Sequence, residues 1–518
     1  VTDRLSAAQA VWYALRSWRT ASVSLLSFSS GMPLGLVWIA IPAWLARQGV
    51  DIKIIGLFTL AQAPWSFKFL WSPIIDRYAL PLPWLGRKLG WTLLFQITLL
   101  VTTFLLVGVA QHPDAMWIIG VLTLAIAFAS ASQDIAVDAY AVEVLRPEEQ
   151  GVAVGARTAI YRAAMFVAGG LAITLAGSWS WAFVFGLIAL LYVPMMIVTL
   201  FAPRSDLDGA ESPHTLREAV WKPFVGFLAR RQAMVLLAFV VLYKLADNLA
   251  GALVRPFLIQ MGFDDFDVGV ATATIGLVTT LFGTLLGGML TTAMGLGHSL
   301  WVFGLLQIFS NLGYVFVTEA GPNRWIMYTA MGFESLTSGM GTGAFGVLLL
   351  RITQKQFSAT QYALFSSLFA LPRIFSGPIT GVAVDAMGWH DFFILTMLIG
   401  LPGMVLLHRF SPLGVRDPNL EEPMLAAAAP VNRATLLIRA LTGGAAGFVV
   451  AVLVAALLEA FRRHRAAPDN AFDLLTPLAA IFTPQGVNEW LMLAGIAIFG
   501  LLIGLTAAAT AAARSPKD

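Results

Sequence analysis

The sequence predicts an all-α polytopic membrane protein: two six-helix bundles followed by two extra C-terminal transmembrane helices. Three observations predict it. Hydrophobic residues fill 58% of the 518 positions and charged residues only 12%, roughly half the charged share of soluble domains. Apolar stretches near the roughly 20 residues that a bilayer crossing needs recur along the whole chain. Motifs of the first half return in the second half at a nearly constant offset.

So few charges cannot cover the surface of a soluble protein this long, so lipid is the main solvent. The formal net charge of +3 is small, and no run of Lys or Arg interleaved with aromatics suggests a nucleic-acid groove. The chain has 0 cysteines, which removes disulfides, thiolate nucleophiles and Cys-based metal sites. The first twenty residues lack the pattern of a cleaved signal peptide. Trp12, Leu15 and Trp18 alternate there with charges and predict an interfacial N-terminal helix over 1–20.

Apolar stretches begin near Ser22, Ile52, Leu89, Ala115, Val152 and Trp179, giving an N-terminal bundle over 21–202. A polar segment over 203–232 carries Pro203, Pro213 and Pro223 and reads as a cytoplasmic linker. Stretches resume near Ala233, Val268, His298, Arg324, Ser358 and Asp391, giving a C-terminal bundle over 233–410. A second linker covers 411–432, and two additional helices cover 433–513. With the N-terminus inside, most loop Lys and Arg fall on the cytoplasmic side. That predicts a multi-pass bacterial inner-membrane protein with both termini cytoplasmic. Arg462, Arg463 and Arg465 depart from the rule, since a loop there lies outside if both final stretches span.

Leu45, Gly49, Asp51 and Gly56 follow the first span, and Leu258, Gly262, Asp264 and Gly269 follow the seventh at the same spacing. Arg162 leads to Gly169 and Trp181, and Arg373 leads to Gly377 and Trp389. Two nearly equal offsets from separate spans argue for one duplicated six-helix unit, with a substrate site between its copies near the midplane.

Ionisable groups at bilayer depth are costly and face a cavity or pair with one another. Lys68, Asp134, Asp138, Arg157, Arg162, Lys244, Asp247, Arg255, Glu334, Arg373 and Asp385 are the candidates. Asp138 and Arg157 lie near the ends of adjacent spans, where a simple bridge explains both. Lys244, Asp247, Asn248, Gly251 and Arg255 recur at helical steps along one face. A cavity lining explains that stripe, and a local Lys244–Asp247 pair explains part of it. Arg162 and Arg373 are repeat mates suited to bidentate carboxylate binding, or to pinning their helices to neighbours. Trp38 and Trp65 offer ring faces to a sugar, or pack. All six histidines fall in loops or at span ends, so a proton carrier is expected among Asp134, Glu334 and Asp138. No metal-ligand cluster, Ser/His/Asp set or Walker motif appears. An enzyme, a metal site, a cofactor and an ATP-driven pump are therefore not expected.

Asp76-Arg77, a proline-rich insertion, then Gly86-Arg87-Lys88 resembles the cytoplasmic signature loop of major facilitator proteins. The resemblance implies that Asp76, Arg77, Arg87 and Lys88 latch the halves. Further blocks are Phe28-Ser-Ser-Gly31-Met-Pro33, Phe67-Lys68-Phe-Leu-Trp71-Ser-Pro73 and Ala131-Ser-Gln133-Asp134-Ile-Ala-Val-Asp138-Ala-Tyr140. Together they resemble the AmpG-type muropeptide permeases of the major facilitator superfamily, most sharply over residues 20–175. The resemblance implies proton-driven uptake of 1,6-anhydro-muropeptides from periplasm to cytoplasm in cell-wall recycling, by a monomer in contact with membrane lipids. It also implies a product that signals β-lactamase induction. Carried over by position, Gly31, Lys68, Gln133 and Asp134 become substrate-site candidates. Trp38, Arg162, Lys244, Asn248 and Arg373 rest on the physical argument alone. The same helix-two lysine and the Gln-Asp-Ile segment also resemble the eukaryotic acetyl-CoA transporter family, which implies another large anionic cargo.

Overall fold

The computed structural model describes residues 7–82, 84–110, 115–205, 215–230, 232–420, 432–466 and 471–514. Every regular element among them is helical. A short amphipathic helix, α1 (Ala7–Arg16), leads into α2 (Trp18–Arg47). A broken segment over 52–77 follows, made of short α and 3₁₀ turns. Then come α3 (Arg87–Val109), α4 (Met116–Val144), α5 (Gln150–Leu175) and α6 (Trp181–Phe201). Within the expected first linker lies α7 (Leu216–Leu228), with Pro223 inside it.

The second series is α8 (Ala233–Gln260), α9 (Asp265–Met294), α10 (Leu296–Ala320), α11 (Arg324–Ile352) and α12 (Ser358–Phe410). Helix α12 turns sharply at Gly388, whose φ of 77° is open to glycine without strain. Then come α13 (Arg433–Ala466), α14 (Leu475–Ile481) and α15 (Val487–Arg514). The alanine run of the second linker lies outside the described residues.

Among the described residues, 11 helices are long and apolar enough to cross a membrane. The expected spans starting at Ile52, Arg324 and Ser358 are not among them. The first is broken: Lys68 sits in a 3₁₀ turn between two short helices. Helix α11 is continuous over 29 residues, but Gly, Ser, Thr and the charges Arg324, Glu334 and Arg351 dilute its apolar content. Polar residues at the start of α12, Ser358, Thr360, Gln361 and Ser366 among them, do the same there.

One compact unit comprises Val1–Ala219, Val235–Gly377 and Met387–Leu420. It holds most of both helix series and, apart from Asp385, every candidate site residue. The repeat seen in the sequence is a repeated helix ending. Gly49 (φ 75°) and Gly262 (φ 87°) both adopt the left-handed conformation. In both places the next N–H reaches back to a carbonyl five residues earlier, Val50 to Leu45 and Phe263 to Leu258, each at 3.2 Å. This is the Schellman ending that glycine permits.

The other compact unit comprises Val220–Met234, Pro378–Ala386 and Glu421–Asp518. In it α13 and α15 pack through small residues: Gly444 meets Gly500 and Gly504, and Gly447 meets Ile503. Val452, Ala456, Ile481 and Ile496 form the apolar core of this hairpin. The basic 462–465 segment, read as a loop, belongs instead to the last turns of α13, where Arg463 donates to Glu459 at 2.9 Å. Arg463 there lies toward the negative end of the helix dipole.

Candidate functional site

The site is built from one charged cluster in each helix series and two arginines between them. In the first series, Lys68 donates to Asp138 Oδ2 at 3.4 Å, and Arg157 donates to Asp138 Oδ1. Asp138 is thus clamped by two cations from two neighbouring elements. The expected Asp138–Arg157 bridge is present and Lys68 extends it. Asp134 lies one helical turn earlier, buried, with Ser30 of α2 beside it. It has no ion pair within 4.0 Å among the described residues.

In the second series, Lys244 donates to Asp247 Oδ2 at 2.6 Å and to the Ser338 carbonyl at 3.0 Å. Ser338 Oγ also donates to Asp247 Oδ2 at 2.6 Å. Lys244 is 4% exposed, and this three-way clamp is the local-pair reading of the stripe. Asn248, next along the same face, is half-buried. Glu334 accepts from Ser335 at 3.3 Å and lies near Tyr314, with Asp247 and Lys244 as its charged neighbours.

Arg162 and Arg373 come together as their repeat positions imply. Arg162 lies within the field of Arg373 and Glu334, and both arginines are exposed. Two exposed arginines, one from each series and within each other's field, mark a crevice between the two series. Neither arginine is ion-paired among the described residues, so both guanidinium groups are available to an anion.

Other candidates sit elsewhere. Gly31 faces α5: a Cβ there would collide with the Tyr161 carbonyl and crowd Ala164. It permits close helix packing. Gln133 is fully buried and donates to Ser29 at 2.8 Å and Ser30 at 3.2 Å. Ser29 also receives Gln96, which accepts from Thr199, so Gln133 ties α4 to α2, α3 and α6. Trp38 packs edge-on against Trp65, with centroids 6.0 Å apart, and lines a small cavity with Pro42, Phe58 and Gln62. The indole N–H groups of both tryptophans are buried and unpartnered.

The latch residues seal one end of the crevice. Asp76 is fully buried and accepts from Lys88 at 2.5 Å. It also accepts from the Ala359 N–H at 3.1 Å, the Thr360 N–H at 2.7 Å and the Thr360 hydroxyl at 2.6 Å. A carboxylate of the first series thereby caps the helix that opens α12, where free N–H groups and the dipole favour an anion. Arg87 supports the turn by donating to the Asp76 carbonyl at 2.8 Å. Arg77 does not join: it stacks over Tyr78 at 4.8 Å.

Three partners at this end escaped sequence reasoning. Glu143 accepts from Ser358 at 2.6 Å. Gln150 accepts from Arg351 at 3.0 Å. Arg351 in turn binds Asp417 at 2.6 Å. Burial pushes the Asp417 carboxyl up, but hydrogen bonds from Arg351 and the Leu296 N–H, with the Arg351 charge, hold it below the ordinary carboxylate range. Beneath them α5 and α9 touch backbone to backbone, because Gly151 and Gly155 meet Gly288. Only Tyr161, beside Arg162, and Tyr362, near the Thr360 cap, had any positional hint of joining the first cluster.

The chain matches the Major Facilitator Superfamily over residues 23–357. It is 41% identical to the Anhydromuropeptide permease of Escherichia coli (strain K12) over 391 residues, 75% of this chain and 79% of that protein. It is 29% identical to a Rickettsia felis protein named as transporter AmpG 4, over 76% of this chain and 96% of that one. The solved human organic anion transporter MFSD10 shares its fold with a TM-score of 0.54 at 14% identity, covering 78% of this chain and 100% of that chain. With its duplicated helix series and sealed crevice, this multi-pass membrane chain belongs to the Major Facilitator Superfamily, among its AmpG-type permeases.

Proposed function

We propose that the chain carries anhydro-muropeptides, GlcNAc-1,6-anhydroMurNAc-peptides, from periplasm to cytoplasm for cell-wall recycling, coupled to protons. The observation that carries this reading is the 41% identity over 391 residues to a permease named for that cargo. The chemistry is compatible. Stem-peptide carboxylates suit the two unpaired guanidinium groups, Arg162 and Arg373. Trp38 and Trp65 offer unpartnered N–H groups and ring faces to the sugars. Asp134 and Glu334 serve as proton carriers, since neither is clamped by two cations as Asp138 is. The bundles over 21–202 and 233–410 alternate about the crevice. In this reading 52–77, α11 and the first part of α12 also cross the bilayer, both termini are cytoplasmic, and the sealed end faces the cytoplasm.

Uptake of labelled GlcNAc-anhydroMurNAc-tripeptide into vesicles tests the reading. Uptake driven by an inward proton gradient and abolished by an uncoupler is expected. Acetyl-CoA uptake without muropeptide uptake would assign the chain a different anion. Unchanged pH-driven uptake after both Glu334→Gln and Asp134→Asn would remove the proton assignment.

A further inference from the structure

Arg157 is held by only one of its terminal nitrogens. Nη2 donates to Asp138, whereas Nη1 is buried and has no hydrogen-bond partner. A buried N–H left unmade is costly, and more so on a charged group. Asp138 accepts from Arg157 Nη2 on one oxygen and from Lys68 on the other. The charged and polar groups that Arg157 senses are Asp134 and Asp138 of α4, Tyr161 of α5 and Tyr362 of α12, while Ser30 of α2 and Lys68 of the broken segment stand beside the aspartates.

Charge counting makes this cluster a two-state device. Lys68 and Arg157 are cations and Asp138 is an anion. With Asp134 ionised the cluster is neutral. With Asp134 protonated it carries one positive charge, and an unused guanidinium N–H marks where an anion would sit. Bringing an anion to the neutral cluster in a low-dielectric interior is unfavourable, whereas the cationic form takes it and becomes neutral.

We propose that Arg157, with the hydroxyls of Tyr161 and Tyr362, forms a second anion subsite that takes one carboxylate of the cargo only together with a proton on Asp134. This rests on the muropeptide reading above and deepens it. Arg162 and Arg373 hold one carboxylate from the crevice, and Arg157 reads another beneath them. The proton moves from water to an Asp134 carboxylate oxygen, and no covalent bond changes. By linkage, carboxylate binding and protonation strengthen each other by the same factor. Tyr362 comes from the second series, so the bound carboxylate also touches a group that leaves when the bundles part.

Calorimetry on the purified full chain tests this in two buffers of different ionisation heat. The ligands are GlcNAc-anhydroMurNAc-tripeptide and its carboxyl-amidated analogue. In the wild-type chain the free-acid ligand is expected to bind with net proton uptake, and the amidated one without it. Asp134→Asn is expected to abolish the uptake while keeping free-acid binding. Arg157→Lys is expected to weaken the free acid by about tenfold more than the amidated ligand, the loss of a charge-assisted bond. Equal proton uptake with both ligands on the wild-type chain, a comparison that needs no variant, overturns the proposal. So does an equal loss of both ligands in Arg157→Lys. If the wild-type chain binds neither ligand, the muropeptide reading itself fails and the subsite falls with it.

Discussion

At the scale of single residues, burial separates the groups that hold the protein together from those that meet a cargo. Gly31 and Gln133 stand in motifs that carry the sequence resemblance to the permease family, and both serve helix packing. Gly31 leaves no room for a methyl group against the Tyr161 carbonyl. Gly31→Ala is therefore expected to cost about 1–3 kcal/mol of stability through overpacking. Thermal unfolding in detergent reads that loss directly. Unchanged stability with lost muropeptide binding would instead return Gly31 to the binding site. The sequence makes such residues conspicuous without saying why, because a packing glycine and a ligand-facing glycine look alike until the opposing backbone is known. Lys244 shows the same ambiguity. Its spacing along α8 fits a cavity stripe, yet Ser338, 94 positions away, completes its clamp at 3.0 Å.

At the scale of helices, the legible part was the part encoded locally. The endings at Gly49 and Gly262 repeat because one glycine conformation serves both. The acidic-then-basic loop around Asp76 and Lys88 announced a latch. Its receptor was not legible, since Asp76 binds the backbone N–H groups of Ala359 and Thr360 and one hydroxyl, and a lone threonine 284 positions away marks no receptor. The seam under it, Gly151 and Gly155 against Gly288, joins helices more than 130 positions apart, and no local pattern encodes such a contact. The latch favours the closed end because a fully buried carboxylate is satisfied only there. Asp76→Asn removes the charge that the helix dipole and Lys88 stabilise, so the halves should part at this end more often. Val154, whose side chain abuts Gly346 across the seam, provides the probe, because the chain has 0 cysteines. Maleimide labelling of Val154→Cys should be slow and should rise about tenfold with Asp76→Asn, a shift of about 1.4 kcal/mol. Equal labelling rates would show that Asp76 does not bias the two states.

At the scale of the molecule, the two helix series are joined at the sealed end by a chain of contacts that runs beyond the predicted loop. Gln150 of the first series accepts from Arg351 of the second, and Arg351 binds Asp417, past the end of α12. Asp417 also accepts from the Leu296 N–H at 3.1 Å, at the start of α10. One exposed-edge carboxylate thus fixes the arginine that reaches across the seam. Its acidity sets the sign of a pH effect. The folded-state pKa lies below the unfolded value, so its contribution is complete above the unfolded pKa, about 3.9. It is lost as pH falls through the lower folded value. The Asp417 side chain is 47% exposed, and solvent screening keeps its contribution within about 1 kcal/mol. Asp417→Asn is therefore expected to lower the unfolding temperature slightly at neutral pH, and the gap should close in strong acid, where the wild-type carboxyl is also protonated. A gap of equal size at both ends of that pH range would mean that shape at this position, and not charge, holds Arg351 against Gln150.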